Sequence, residues 1–267
     1  MSGIHATAVV DPRAEIGTDV EIGPFSVIGA DVVLRDRVVV GPHVVINGPT
    51  VIGEETKIYA GAALGGDPQD LKYRGEPTRL ELGARNIIRE HVTLSRGTRG
   101  GGGVTRIGDD NLFMAGSHVA HDCQVGNHCI FANYAAIAGH VHVQDRAILS
   151  GFVGVHQFTR VGRCAMVSGG AMVVQDVPPF CIAQGDRARL FGLNIVGLRR
   201  AGMKLAGIQA LKAAYRELYH QGLPMRIALE QVREVYSDVS EVVELVEFIA
   251  GSQRGTCRSA GTDAASE

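Results

Sequence analysis

The chain has 267 residues, with 26 lysines and arginines against 28 aspartates and glutamates and a formal net charge of −2. That balance gives no reason to propose nucleic acid as a partner, and a composition of 45% hydrophobic and 20% charged residues excludes a disordered chain. Five cysteines, an odd number without a CxxC pair, exclude a disulfide framework and fit free thiols in a reducing compartment.

The first stretch, MSGIHATAVVDPRAE, is interrupted by His5, Asp11 and Pro12. It reads as neither a signal peptide nor a membrane span, and a cytoplasmic location is expected. From Ile4 an aliphatic residue recurs every six positions, through Val10, Ile16 and Ile22 to Leu64, without a missed step. A period of six matches neither the 3.6 of a helix nor the 2 of a half-buried strand. It fits a solenoid of triangular cross-section, three short strands and three corners closing a coil of 18 residues. The aliphatic residue points inward, and the small residue after it lets the chain bend. Stacked coils then pair as parallel strands about 4.8 Å apart. The 35 glycines, nearly double the usual share of about 7%, and the absence of tryptophan suit such a narrow core.

Between Leu64 and Leu82 the register advances by 18 instead of 6, which predicts an external loop over 66–81 carrying GDPQDLKYRGEPTR. The register returns at Leu82, Ile88 and Leu94 and is broken again before Ile107, predicting a second loop over 96–105. Its glycine run reads as flexibility. Solenoids often place such excursions on a binding face. From Ile107 the period runs unbroken to Val173, giving 26 register positions in all and between eight and nine coils. After VPPFCIAQG the spacing becomes helical, with Leu205, Ile208, Leu211 and Leu218 on one stripe and a break at Gly222 and Pro224. The expected organisation is a solenoid over 1–190, a small domain of two or three helices over 191–251, and a disordered polar tail over 252–267.

Folding the sequence by 18 from Ile107 puts His156 at offset 13, His121 at 14 and His140 at 15, on one edge of three neighbouring coils. His118, at offset 11, approaches the same edge. Three readings compete. The first is a structural polar ladder. The second is a zinc site of three imidazoles about 2.0–2.1 Å from one ion. The third is a general base near neutral pKa, oriented by an acceptor such as Asp122. Neighbours on a strand diverge, so a His121–Asp122 pair requires a corner.

The runs QDLKYRGEPTRLELG, GSHVAHDCQVGN, AGHVHV, VHQFTRVG and QDVPPFCIAQG, followed by GLNIVGLRRAG, resemble in order the acyl-carrier-protein-dependent UDP-N-acetylglucosamine O-acyltransferases. The resemblance covers about residues 4–250. It implies a left-handed parallel β-helix with a C-terminal helical domain, a homotrimer with sites between subunits, and no metal or other cofactor. The implied reaction moves an R-3-hydroxyacyl chain from acyl carrier protein to the 3-OH of the sugar nucleotide, the first step of lipid A synthesis.

By the same resemblance His121 is the general base, Asp122 orients it, and the Gly139 N–H stabilises the oxyanion. Asp70, Lys72, His118, His140, His156, Gln157, Asn194 and Arg200 fall on substrate-binding positions. Gly169 falls on the position that limits acyl length, where glycine implies a longer chain unless Met166 shortens the pocket. Arg199, Arg200, Lys204, Lys212 and Arg216 form a basic helical face suited to an acidic carrier protein. Ala201 and Ser95 depart from the family pattern. The alternatives are a zinc-dependent carbonic anhydrase-like solenoid, the related N-acyltransferase acting on a 3-amino sugar, and a non-catalytic scaffold.

Overall fold

The computed structural model describes residues 3–261. The period of six folds into short strands arranged as three sheets of 11, 9 and 8 strands. Successive strands join the first, second and third sheets in turn, so each pairs in parallel with strands one coil away, as Ile22 with Val40 and Val40 with Ile58. From Ile22 to Val173 every register residue is at most 5% exposed. These side chains fill one continuous, mostly aliphatic core, in which Phe113 stacks on Phe131 at 4.8 Å.

The corners explain why the period is six. A residue in the left-handed region stands three places before most inward residues, as at Asp19, Phe25, Asp31, Arg37 and His43. An unbroken run from Asp122 through His128, Tyr134, His140, Arg146, Phe152 and Phe158 to Cys164 has φ between 55° and 62°. This conformation turns the chain sharply and projects the side chain outward. Most of the glycines that follow inward residues are therefore not needed for the bend. A Cβ on Gly53 would lie 2.3 Å from the carbonyl carbon of Gly83. What that glycine permits is close stacking of one coil on the next.

Both predicted excursions leave the same corner, between the second and third sheets. The first spans 67–78, between strands Ala63–Gly66 and Arg79–Leu82, and the second spans 96–103, between Thr93–Ser95 and Val104–Ile107. Arg96 ties them together. Its guanidinium donates to the Gly48 and Gly65 carbonyls at 2.8 and 3.2 Å, to the Tyr73 hydroxyl at 3.0 Å and to Asp67.

The solenoid ends in an antiparallel pairing of Cys181–Gln184 with Arg189–Leu193. Four helices follow, one more than the spacing predicted: α1 (Ile195–Arg200), α2 (Leu205–His220), α3 (Met225–Val235) and α4 (Ser240–Ala250). They enclose a second core around Ile208, Leu211, Val232 and Leu245, closed on the solenoid side by Phe180 and Cys164. Arg163 grips Glu244 of α4 through Nη2 at 2.7 Å and Nε at 3.0 Å. No helix among the described residues is long and apolar enough to cross a membrane.

The expected disorder from residue 252 onward is not found as far as 261. Ser252 donates to Asp176 at 2.8 Å, Thr256 and Ser259 form bridges with Asp176 and Leu190, and Cys257 is 1% exposed. Small polar residues suit this segment because it pairs with backbone left open at the end of the solenoid. Residues 262–267 lie outside the described part. All five cysteines are free and buried, and burial pushes the thiols upward, Cys123 and Cys257 to about 12.

Candidate active site

The corner between the second and third sheets brings His121, Asp122 and Gly139 together. His121 and Asp122 are its two turn residues, and Asp122 adopts φ 60°. This left-handed step folds the Asp122 carboxylate back beside its neighbour's ring, so that His121 Nδ1 and Asp122 Oδ2 are 2.8 Å apart. The corner required for this pair is therefore present.

Asp122, His140 and Phe158 occupy the same position of successive coils. His140 stacks on Phe158 at 4.4 Å and 9°. The residues before them, His121, Gly139 and Gln157, form an adjacent column. The His121 ring lies against Gly139, where a Cβ would be 2.5 Å from Cε1 and 2.7 Å from Nε2. It meets His140 edge-on at 5.2 Å. The Gly139 N–H donates to no group among the described residues.

The expected row of three imidazoles is corrected accordingly. Phe158, not His156, continues the column above His140, because the left-handed residue is the one that projects into it. His156 is exposed, with Nδ1 at 3.1 Å from the Gln157 carbonyl, and Gln157 is exposed beside it. Zinc in a three-histidine set therefore finds two imidazoles here. His121, Asp122 and His140 do place one ligand atom each within 4.8 Å of one another, and the Asp122 carboxylate already has three hydrogen-bond partners.

The second loop is what uses it. The Thr98 N–H donates to Asp122 Oδ1 at 2.8 Å, and the Thr98 hydroxyl to Oδ2 at 2.7 Å. The Asp122 N–H donates to Thr105 Oγ1 at 2.8 Å. A Cβ on Gly101 would lie 2.1 Å from Asp122 Cγ. The glycine run is thus not mere flexibility: it brings bare backbone onto a carboxylate whose side chain is 0% exposed. Thr98, Thr105 and Gly101 escaped the sequence reading. The phase of the insertion, between Leu94 and Ile107 as His121 lies between Val119 and Val125, locates the loop over the dyad without naming the contacts.

The other predicted residues fall into two groups. His118 lies on the outer face of the second sheet, its Nδ1 2.7 Å from Thr93 Oγ1, and burial holds its pKa below the ordinary value. Burial also lowers His140, against an opposing pull from Asp122. Asp70, in the first loop, accepts the Lys72 N–H at 2.9 Å and is close enough to act electrostatically on His140. Lys72 is exposed beside Leu71, which is 95% exposed.

Met166, Asn194 and Arg200 lie elsewhere, around an apolar groove of about 630 Å³ on the first sheet, with Ile148, Ile182 and Val196. The Asn194 side chain is committed within the chain. Oδ1 accepts the Gly197 N–H at 3.1 Å, capping α1, and Nδ2 donates to the Cys164 carbonyl at 3.0 Å. Gly169 sits at the corner between the first and second sheets, exposed, with only the Gly151 carbonyl within 4 Å of a built Cβ.

Two family models match this chain: bacterial transferase hexapeptide repeats over residues 105–139, and the second domain of UDP-N-acetylglucosamine O-acyltransferase over 176–257. The chain is 52% identical over 262 residues to the acyl-[acyl-carrier-protein]–UDP-N-acetylglucosamine O-acyltransferase of a Janthinobacterium species, covering 97% of this chain and all of the relative. The corresponding protein of Alkalilimnicola ehrlichii is 55% identical over 258 residues, with the same coverage. The chain belongs to the UDP-N-acetylglucosamine O-acyltransferase family.

Solved structures of this family agree. The Francisella novicida UDP-N-acetylglucosamine acyltransferase superposes with a TM-score of 0.94 at 36% identity, covering 99% of this chain and 98% of that one. LpxA from Acinetobacter baumannii gives 0.93 at 42% identity, covering 96% and 99%. The family fold is the left-handed parallel β-helix with a small helical region at its C-terminal end, as the hexapeptide period implied. The corner built by His121, Asp122 and Gly139 lies in the stretch where the hexapeptide model matches, and α1 to α4 lie in the stretch matched by the second domain.

Proposed function

We propose that the protein transfers an R-3-hydroxyacyl group from the thioester of acyl carrier protein to the 3-hydroxyl of UDP-N-acetylglucosamine, opening lipid A synthesis in the cytoplasm. The observation that carries this reading is the His121–Asp122 pair over Gly139. With Nδ1–H directed to Asp122, Nε2 is left with its lone pair, on the ring edge that lies against Gly139. Nε2 takes the proton from the sugar 3-hydroxyl as its oxygen bonds to the thioester carbonyl carbon. The developing oxyanion accepts the Gly139 N–H. Collapse breaks the C–S bond, and the imidazolium returns its proton to the leaving thiolate, giving an ester and the free carrier thiol. A thioester is activated enough for base catalysis, contributing about 10²–10⁴-fold, to serve without a metal.

The second element is assembly. In one chain the His121 corner and the groove lined by Met166 and Arg200 are on different faces. A homotrimer that sets one subunit's corner against the next subunit's groove makes a complete site from both. The exposed Leu71 and Lys72 loop is placed to reach across, and Gly169 then bounds a long acyl chain.

The test is acyl transfer by full-length protein in chelator, native against His121→Ala. Turnover that survives chelation and falls about 10²-fold or more in the variant supports the reading. Native activity in the variant overturns it, and transfer only to a 3-amino sugar nucleotide overturns the acceptor. Co-expression of His121→Ala with Arg200→Ala tests the shared site: random mixing in a trimer restores about one quarter of the sites, and no recovery overturns it.

A further inference from the structure

The Asp122 carboxylate is held by a loop that lies outside the repeat. Thr98 supplies two of its three close donors, N–H to Oδ1 at 2.8 Å and Oγ1 to Oδ2 at 2.7 Å. The third, His121 Nδ1 at 2.8 Å, meets the same Oδ2. The direction of the Thr98 hydroxyl proton is fixed, because Oγ1 itself accepts the Gly101 N–H at 3.2 Å. The hydroxyl thus has its proton for Asp122 and its lone pair for the loop backbone. Every group within hydrogen-bonding reach of the carboxylate donates, so both oxygens stay acceptors and Oδ2 stays aimed at His121.

The loop is itself anchored. Thr98 is 7% exposed, Gly97 N–H donates to the Arg79 carbonyl at 3.3 Å, and Arg96 is bonded to both the solenoid and the first loop. Gly101 lets the backbone lie on the carboxylate, since any side chain there would collide with it.

The geometry points to Thr98 as a positioning residue for acyl transfer: its paired N–H and hydroxyl lock the Asp122 carboxylate in the orientation that fixes His121 with Nδ1 protonated and Nε2 open. Thr98 is itself buried beside the carboxylate. It acts through Asp122, and the inference rests on the reading of His121 as the base. Losing one bond to a charged, buried acceptor costs about 10- to 100-fold in rate where that acceptor orients the base.

Steady-state kinetics of full-length Thr98→Val and Thr98→Ser test it, with folding checked by thermal melting and ¹⁵N NMR used to read the His121 tautomer. Thr98→Val is expected to lower kcat by about 10- to 100-fold, hold KM for the sugar nucleotide within about 3-fold, and lose the Nδ1–H preference. Thr98→Ser, which keeps the hydroxyl, is expected within about 3-fold of native kcat. If Thr98→Val does not fold, Thr98→Ala is read in the same way. Native kcat in the valine or alanine variant overturns the inference. So does a loss carried by KM, or a serine variant as impaired as the valine. An inactive His121→Ala beside an unaffected Thr98→Val sinks Thr98 alone, whereas an active His121→Ala sinks the base reading beneath it.

Discussion

The two corners that flank the second sheet are built from the same left-handed turn and differ in what lies outside it. At the first, rings stack on rings and face solvent: Phe25 on His43 at 5.2 Å, and Tyr134 on Phe152 at 5.3 Å. Phe25, Tyr134 and Phe152 are between 58% and 64% exposed. At the second, the ladder of His140 on Phe158 begins the same way, but the position one coil earlier is Asp122, and a loop closes over it. The repeat by itself makes ladders. A histidine paired with a buried carboxylate arises where one ladder position is acidic and an insertion removes it from water.

The largest effect that separates the corners is expected from Asp122→Asn. The amide accepts only at its single oxygen and places an NH2 donor where the other stood, so His121 loses its orienting carboxylate, and kcat is expected to fall by about 10²–10⁴-fold while the thermal midpoint of this buried site is followed in parallel. Activity within about 3-fold of native would show that the corners do not differ in chemistry. Gly101→Ala sharpens the role of the loop. Its Cβ would lie 2.1 Å from Asp122 Cγ, so the loop must lift, destabilising the protein by about 1–3 kcal/mol in denaturant unfolding and lowering kcat with it. Gly100→Ala is the control, because nothing lies within 4 Å of its built Cβ and both quantities stay native.

A smaller effect is expected from pH. Burial lowers the pKa of His118, His140 and His142 in the folded protein. Below the ordinary histidine value of about 6.5 the unfolded chain therefore binds more protons than the folded one. Their contribution is complete above that value and is lost as pH falls toward the lowered folded values. Melting curves across this window are expected to fall less steeply for His118→Gln than for the native protein, and equal slopes would remove His118 from the account. The smallest effect belongs to the first corner. Phe25→Ala removes an exposed ring and is expected to change stability by no more than about 0.5 kcal/mol and transfer not at all. A larger change in transfer would extend the site to that corner.

Much of the corner was legible and its decisive details were not. The 18-residue fold of the sequence brought His121, His140 and His156 to one corner but did not show which rings meet there, because an offset of one or two residues within a turn separates a side chain in one column from one beside it. His121 lies against Gly139 and His156 against its own neighbour's carbonyl for that reason alone. Nothing in the sequence signalled that the Asn194 amide also caps α1 and holds the Cys164 carbonyl. The tail read as disordered because its composition is small and polar. Its order comes from an open backbone edge supplied by residues about 70 to 80 places earlier.

The sequence by itself determined the coil. Each six-residue unit obeys a local rule, an inward apolar residue at 26 register positions with a left-handed corner before most of them, and a rule so often repeated leaves little long-range to be decided about the architecture. Tertiary structure alone decided the chemistry. The bonds from Thr98 to Asp122 span 24 residues and depend on an insertion with no period, so no spacing announces them. Whether a carboxylate is solvated or held against an imidazole is settled by that closure, because burial and donor geometry, not residue type, fix what a His–Asp pair can do.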